Sequence, residues 1–142
     1  MSTLERAIAI AVEAHQGQKD KAGEPYILHP LRLMLQMQSE TDKIVAVLHD
    51  VVEDSGRSLD DLRTEGFSAE VLEAVSTLTK KNDVSYEEYI DSIKTHPVAR
   101  RVKLADLRDN MDITRISDVT ERDLKRLSKY HKAWQKLRQQ QR

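Results

Sequence analysis

The 142-residue sequence has no cysteine. That absence excludes a disulfide scaffold, a thiolate zinc site and a cysteine nucleophile. Glycine (4) and proline (3) are scarce, and aromatic residues make up 4%. Few breakers and few strand formers predict an all-α fold. Neither sign of charge dominates: 23 Lys and Arg face 24 Asp and Glu, for a formal net charge of −1. A near-neutral chain is poorly suited to coating nucleic acid, and no nucleic-acid partner is expected. No apolar run approaches the ~20 residues of a membrane span. The start, Met1-Ser2-Thr3-Leu4-Glu5, places no basic segment ahead of an apolar one. The expectation is a cytoplasmic protein without a membrane anchor or leader. No repeat, low-complexity stretch or linker divides the chain, so residues 1–142 read as one domain. A domain of this length can bury roughly 70% of its unfolded surface.

What is present is helical periodicity. Ser2 and Glu5 have capping-box spacing, and Leu4, Ala7, Ile8, Ala11 and Val12 follow on one face, ending near Gly17. Gly17 to Tyr26 reads as a loop. Pro30 suits a first helical turn, with Leu31, Met34, Leu35 and Met37 after it. Thr41 or Asp42 is expected to cap a third helix carrying Ile44, Val45, Val47, Leu48, Val51 and Val52. It is apolar nearly all round, and therefore central. A short helix over Ser58–Arg63, one from Ser68 through Lys80, one from the Ser85/Glu88 capping box to about Lys94, and one over Val98–Met111 follow. The last runs from about Thr120 to the C-terminus. The total is seven or eight helices in a bundle.

Charge is uneven. Asp50 to Glu73 holds eight acidic and two basic residues, and Glu121 to Arg142 eight basic and two acidic. Two solvated faces that attract each other would explain this. So would a basic helix holding an anion over an acidic, metal-loaded floor.

The third helix ends in His49, Asp50, Glu53 and Asp54. Helical spacing places His49 and Glu53 four apart, Asp50 and Glu53 three apart, and Asp50 and Asp54 four apart, each about one turn. Either the helix surfaces here, or a divalent cation compensates the buried carboxylates. His29 sits at a loop-to-helix junction in Tyr26-Ile27-Leu28-His29-Pro30, where a cap or a core role is the ordinary reading. Asp106 lies in the apolar turn Val102-Lys103-Leu104-Ala105-Asp106-Leu107, where an ion pair with Lys103 or Arg108 is the ordinary reading. Taken together, His29, His49, Asp50 and Asp106 form a two-nitrogen, two-oxygen set that leaves room for water on a metal. His15 is read as a brace between the first helix and the loop after Gly17. His96 and His131 carry no chemistry, and Trp134 is core packing.

Ordered pieces of the chain resemble the HD-domain metal-dependent phosphohydrolases. More narrowly, the chain is similar to the hydrolase domain of RelA/SpoT-type proteins and to small alarmone hydrolases of the stringent response. The pieces are Ala14-His15-Gln16-Gly17-Gln18, Gly23-Glu24-Pro25-Tyr26-Ile27-Leu28-His29-Pro30, Leu48-His49-Asp50-Val51-Val52-Glu53-Asp54, Leu78-Thr79-Lys80, Val102-Lys103-Leu104-Ala105-Asp106 and Asn110-Met111. The resemblance implies that His29, His49, Asp50 and Asp106 bind one divalent ion, usually manganese, and that Glu53 and Asp54 handle the nucleophilic water. It implies removal of the 3′-diphosphate from guanosine tetra- or pentaphosphate. Lys21 and Asn110 match substrate-contacting positions. Lys103 would add positive charge near the phosphates, and Arg126 and Tyr130 would reach phosphate and base. No synthetase segment follows, so hydrolysis without synthesis is expected.

Three segments depart from the family pattern. Asp20-Lys21 stands where the family has Arg-Lys, whose arginine helps hold guanine. Asp106-Leu107-Arg108-Asp109-Asn110-Met111 stands for Asp-Arg-Leu-His-Asn-Met, and Ile113 for a substrate-contacting threonine. A nucleotidase or NADPH phosphatase releasing orthophosphate, and a nucleotide sensor without turnover, are the alternatives these departures raise.

Overall fold

The computed structural model describes residues 2–139. Among the described residues, nine α-helices and one 3-10 turn appear in the order α1 (Leu4–His15), α2 (Leu28–Leu35), α3 (Glu40–Leu48), α4 (Val51–Asp54), α5 (Leu59–Thr64), α6 (Ala69–Leu78), α7 (Tyr86–Lys94), α8 (Pro97–Asn110), the 3-10 turn Ile113–Arg115, and α9 (Glu121–Arg138). The all-α expectation holds. All eight expected helices are present, one of them divided into α3 and α4. The last three residues of the expected final helix lie outside the described residues.

Two helices organise the core. The α3 helix buries Ile44, Val45, Ala46, Val47 and Leu48 in succession, and packs on α1, α2, α6 and α8. The α8 helix buries Val98, Ala99, Val102, Ala105 and Leu107, and meets α2, α3, α6, α7 and α9. An unbroken apolar run has no face to give to water, so the second half of α3, from Ile44 to Leu48, is enclosed on all sides.

The helix starts differ in detail from the sequence reading. Thr3 rather than Ser2 caps α1, accepting from the Arg6 amide at 3.1 Å. Ser39 rather than Thr41 or Asp42 caps α3 through the Asp42 amide. Asp42 is buried and gripped by Arg101 of α8 at 2.7 and 3.1 Å. Ser68 and Ser85 cap as expected, and Ser58 and Thr120, expected only as helix starts, are caps as well. The acidic 50–73 stretch forms no ion pair with α9 among the described residues. α9 packs on α7 and α8, and Lys136 of α9 pairs with Asp91 of α7.

Candidate active site

The loop before α2 is a miniature hairpin. Gly17 ends α1 at φ 82°, and Gly23, at φ 83°, closes a turn that begins at Asp20. The Gly23 amide donates to the Asp20 carbonyl at 3.0 Å, and the Asp20 amide to the Glu24 carbonyl at 2.8 Å. Asp20 Oδ1 accepts from the Ala22 and Glu24 amides, both at 2.9 Å. Aspartate suits this first turn position because its side chain mimics a backbone acceptor. Asp20 therefore shapes the turn and lifts Lys21 to its tip. His15 braces this loop as expected: Nδ1 lies 2.9 Å from Gln18 Oε1, and Gln18 donates to the Asp54 carbonyl at 2.9 Å.

The hairpin delivers Tyr26 and then His29 to the protein interior. The Tyr26 hydroxyl donates to Asp50 Oδ2, and its ring lies between those of His15 and His29 at 4.9 and 5.6 Å. His29 opens α2. Its Nε2 lies 2.8 Å from Asp106 Oδ1, and its Nδ1 lies 2.6 Å from Asp109 Oδ2.

His49 and Asp50 occupy the break between α3 and α4. Asp50 adopts φ −104° and ψ 0°, the sparsely populated bridge region where active-site residues recur. The break has a consequence for chemistry. On a continuous helix, adjacent side chains diverge. Here His49 Nε2 and Asp50 Oδ2 come within 3.0 Å, and His49 Nε2 lies 3.6 Å from Asp106 Oδ1. One ligand atom each from His29, His49 and Asp50 lies within 4.8 Å of the others. Asp106 adjoins both imidazoles.

Hydrogen bonding fixes which imidazole nitrogens face this cluster. His49 Nδ1 is 2.7 Å from the Ala46 carbonyl, which only accepts, so Nδ1 carries the proton. His49 Nε2 is buried and has no hydrogen-bond partner, although carboxylates flank it. His29 likewise directs Nδ1 outward, to Asp109. Both rings present Nε2 to the same carboxylates. That donor set suits a divalent cation. The N–O spacings of 2.8, 3.0 and 3.6 Å bracket the roughly 3.0–3.4 Å that separates neighbouring ligands of an ion held at about 2.1 Å.

The charges agree. Burial opposes ionisation of Asp106, yet Lys103, His29 and His49 hold it well below the ordinary carboxylate range. Burial disfavours imidazolium at His29 and His49, but Asp106 and Asp109 reverse that at His29, and Asp50 and Asp106 at His49, so both are raised. Proton and cation would thus compete for the same Nε2 atoms. Glu53 and Asp54 stand on α4. Partial withdrawal of their carboxyls from water, and then the Asp50 charge, raise both above their usual values.

A cavity of about 280 Å³ adjoins the cluster at Tyr26 and His29. Four of the five expected substrate contacts line it: Lys21, Asn110, Arg126 and Tyr130. Partial burial and then the neighbouring Arg126 charge lower Lys21 below its ordinary value, and an anion between the two cations would relieve this strain. Asp20 and Ile113 line the same cavity. Lys103 does not face it. Its ammonium lies 2.9 Å from Asp106 Oδ2 and over the Tyr89 ring at 5.2 Å. The ion pair with Asp106 read from the sequence is thus formed by Lys103, the residue also expected to add positive charge near the phosphates. Asn110 likewise donates to Asp106 Oδ1 at 3.1 Å.

Tyr26, Arg32 and Asp109 were not singled out from sequence as parts of this cluster. A signal for two of them was present. Arg32 follows His29 by three, and Asp109 follows Asp106 by three, each a one-turn step on a shared helix face.

Comparison with known proteins agrees with this geometry. The HD domain family model matches residues 7–141. The guanosine-3′,5′-bis(diphosphate) 3′-pyrophosphohydrolase of Aquifex aeolicus (strain VF5) is 36% identical over 119 residues, covering 77% of this chain and 17% of that protein. The bifunctional (p)ppGpp synthase/hydrolase SpoT of Escherichia coli (strain K12) is 35% identical over 122 residues, covering 76% and 17%. The GTP pyrophosphokinase of Streptomyces coelicolor (strain ATCC BAA-471 / A3(2) / M145) is 34% identical over 121 residues, covering 76% and 14%. The chain thus spans less than a fifth of the length of these relatives. A solved structure described as a metazoan ortholog of SpoT that hydrolyses ppGpp superposes with a TM-score of 0.80 and 22% identity, over 97% of this chain and 86% of that one. This is a likeness of fold. With a family model matched from the first helix to the last, and an ordered His/Asp cluster on three elements of an all-helical fold, the chain belongs to the HD-domain family.

Proposed function

We propose that the chain is a cytoplasmic, manganese-dependent phosphohydrolase, a single domain over residues 1–142, that releases pyrophosphate from the 3′ position of guanosine tetra- or pentaphosphate. One juxtaposition supports this most. The buried, unpartnered Nε2 of His49 sits among His29, Asp50 and Asp106, beside a cavity where Lys21 and Arg126 converge. His29, His49, Asp50 and Asp106 would hold the cation. When bound, it lowers the pKa of a water and polarises a phosphoryl oxygen.

The protein's own groups supply the rest. Lys21 and Arg126 offset phosphate charge, Asn110 lines the passage to the cluster, and Tyr130 meets the base. Glu53 and Asp54, with carboxyls raised above the ordinary range, orient the water and take its proton. The water oxygen bonds to the phosphorus attached to O3′. The P–O3′ bond breaks with its electron pair going to O3′, which gains the proton the carboxylates took and becomes the 3′-hydroxyl, and pyrophosphate leaves.

A second reading, a nucleotidase or NADPH phosphatase releasing orthophosphate, draws on Asp20. Its carboxylate is engaged with the turn backbone and supplies no cation to stack on a base. The test is a manganese-supplemented screen of alarmones, mononucleotides and NADPH, scored for phosphate and pyrophosphate. Pyrophosphate from alarmone is the expected product. Orthophosphate from the other substrates supports the second reading, and tight binding without turnover marks a sensor.

A further inference from the structure

Asp109 occupies the position where the family pattern has histidine, and its surroundings are unlike those of a surface aspartate. The residue is 7% exposed. Oδ2 lies 2.6 Å from His29 Nδ1. Arg32, one turn after His29, grips the same carboxylate as a fork, Nε to Oδ1 at 2.8 Å and Nη2 to Oδ2 at 2.9 Å. Arg115, from the 3-10 turn, closes the other side. Its Nη2 lies 2.9 Å from the Asp109 carbonyl oxygen and 3.5 Å from Oδ2. Both carboxylate oxygens are therefore engaged, and neither is free to serve as a ligand.

Paired steps of three residues build this arrangement. His29 and Arg32 share a face of α2, and Asp106 and Asp109 share a face of α8. The two faces meet, so Asp106 receives His29 Nε2 while Asp109 receives His29 Nδ1. A charged acceptor on Nδ1 selects the tautomer with its lone pair on Nε2. It also stops the ring from rotating and makes Nε2 a stronger donor. The bidentate arginine removes the freedom the carboxylate would otherwise retain.

We propose that Asp109, locked by Arg32, is the positioning residue of His29, aiming its Nε2 at a divalent cation and strengthening that bond. The proposal rests on His29 being a ligand. It differs from a simple staple between α2 and α8, which would hold the helices together without affecting the cation.

The test uses the full chain, with folding checked by circular dichroism. The probes are manganese alone, whose dissociation constant is read from the resonance of the free ion, and cobalt, read by its visible spectrum. Asp109→Asn is expected to weaken manganese binding about 10- to 100-fold and to shift the cobalt spectrum. Arg32→Lys keeps the charge and loses the fork, so a weakening of the same kind but about 3- to 10-fold is expected. It carries the comparison if Asp109→Asn does not fold. A staple would lower the melting temperature in chelator and leave both metal readouts unchanged. Manganese affinity within twofold of the parent, with an unaltered cobalt spectrum, overturns the proposal. His29→Ala and His49→Ala run alongside: if they too bind manganese normally, it is the ligand assignment that fails.

Discussion

Asp106 is a buried carboxylate surrounded by donors, and the way it is neutralised governs the site. Lys103 takes Oδ2, while His29 and Asn110 share Oδ1. Removing one partner of such a pair leaves an uncompensated charge, at a cost of roughly 3–5 kcal/mol. A divalent cation on Oδ1 is a second source of compensation. Lys103→Met should therefore lower stability to urea by roughly that amount in chelator, and manganese should restore more stability to the variant than to the parent. Equal manganese effects in the two proteins would contradict this. Two ligand variants test the cluster itself. His49→Ala and Asp106→Ala should each abolish manganese-dependent turnover and manganese binding. Near-normal turnover in either purified variant would break the assignment.

These four residues were readable in the sequence because each sits in an apolar context that makes a polar group conspicuous. Lys103 was readable too: an ion pair with Asp106, three residues on, was the ordinary reading of that turn, and it forms. Its distance from the cavity depends on how α8 is rotated between α2 and α7, and spacing within one helix does not give that rotation. Asp20 shows the same limit. Its carboxylate looks like a lost base contact in the sequence, whereas the fold uses it to shape the turn that carries Lys21.

At the scale of elements, the break at His49–Asp50 was the least legible feature. The residues around it continue a helical pattern, and neither glycine nor proline marks a stop. What ends α3 is tertiary: the Tyr26 hydroxyl holds Asp50 while His49 turns toward Asp106. The start of α9, by contrast, is local and was legible. Thr120 and Asp123 form a reciprocal capping box. The Thr120 backbone amide holds the Asp123 carboxyl below its ordinary range. A depressed folded-state pKa contributes stability above the unfolded value near 3.9, lost as pH falls through the folded value. Trp134, the single tryptophan, lies on α9 against the core. Its fluorescence should report loosening of α9 as pH falls below about 4. Asp123→Asn should already be loosened at pH 6 and show a shallower acid transition. Superimposable acid titrations of parent and variant would exclude the capping contribution.

For the whole molecule, the position of the cluster matters more than its composition. His29 and Asp106 are 77 residues apart in sequence, and His49 and Asp50 lie between them at the α3–α4 break. A cation held by all three elements binds only the folded chain, since no unfolded conformation keeps those atoms together. It should stabilise the protein by RT ln(1 + [M]/Kd), about 2.7 kcal/mol at a hundredfold excess over Kd. For a chain of this length that corresponds to a melting-temperature rise of about 9 °C. The gain should be spatially selective, because closing a tie among three elements suppresses the openings that separate them. Amide hydrogen exchange should slow on adding manganese in α2, in α8 and over residues 49–54. α5 and α7, which supply none of these ligands, should change less. His49→Ala should remove both the thermal shift and the exchange pattern. A parent protein whose melting and exchange ignore manganese would mean that the four side chains meet for packing alone.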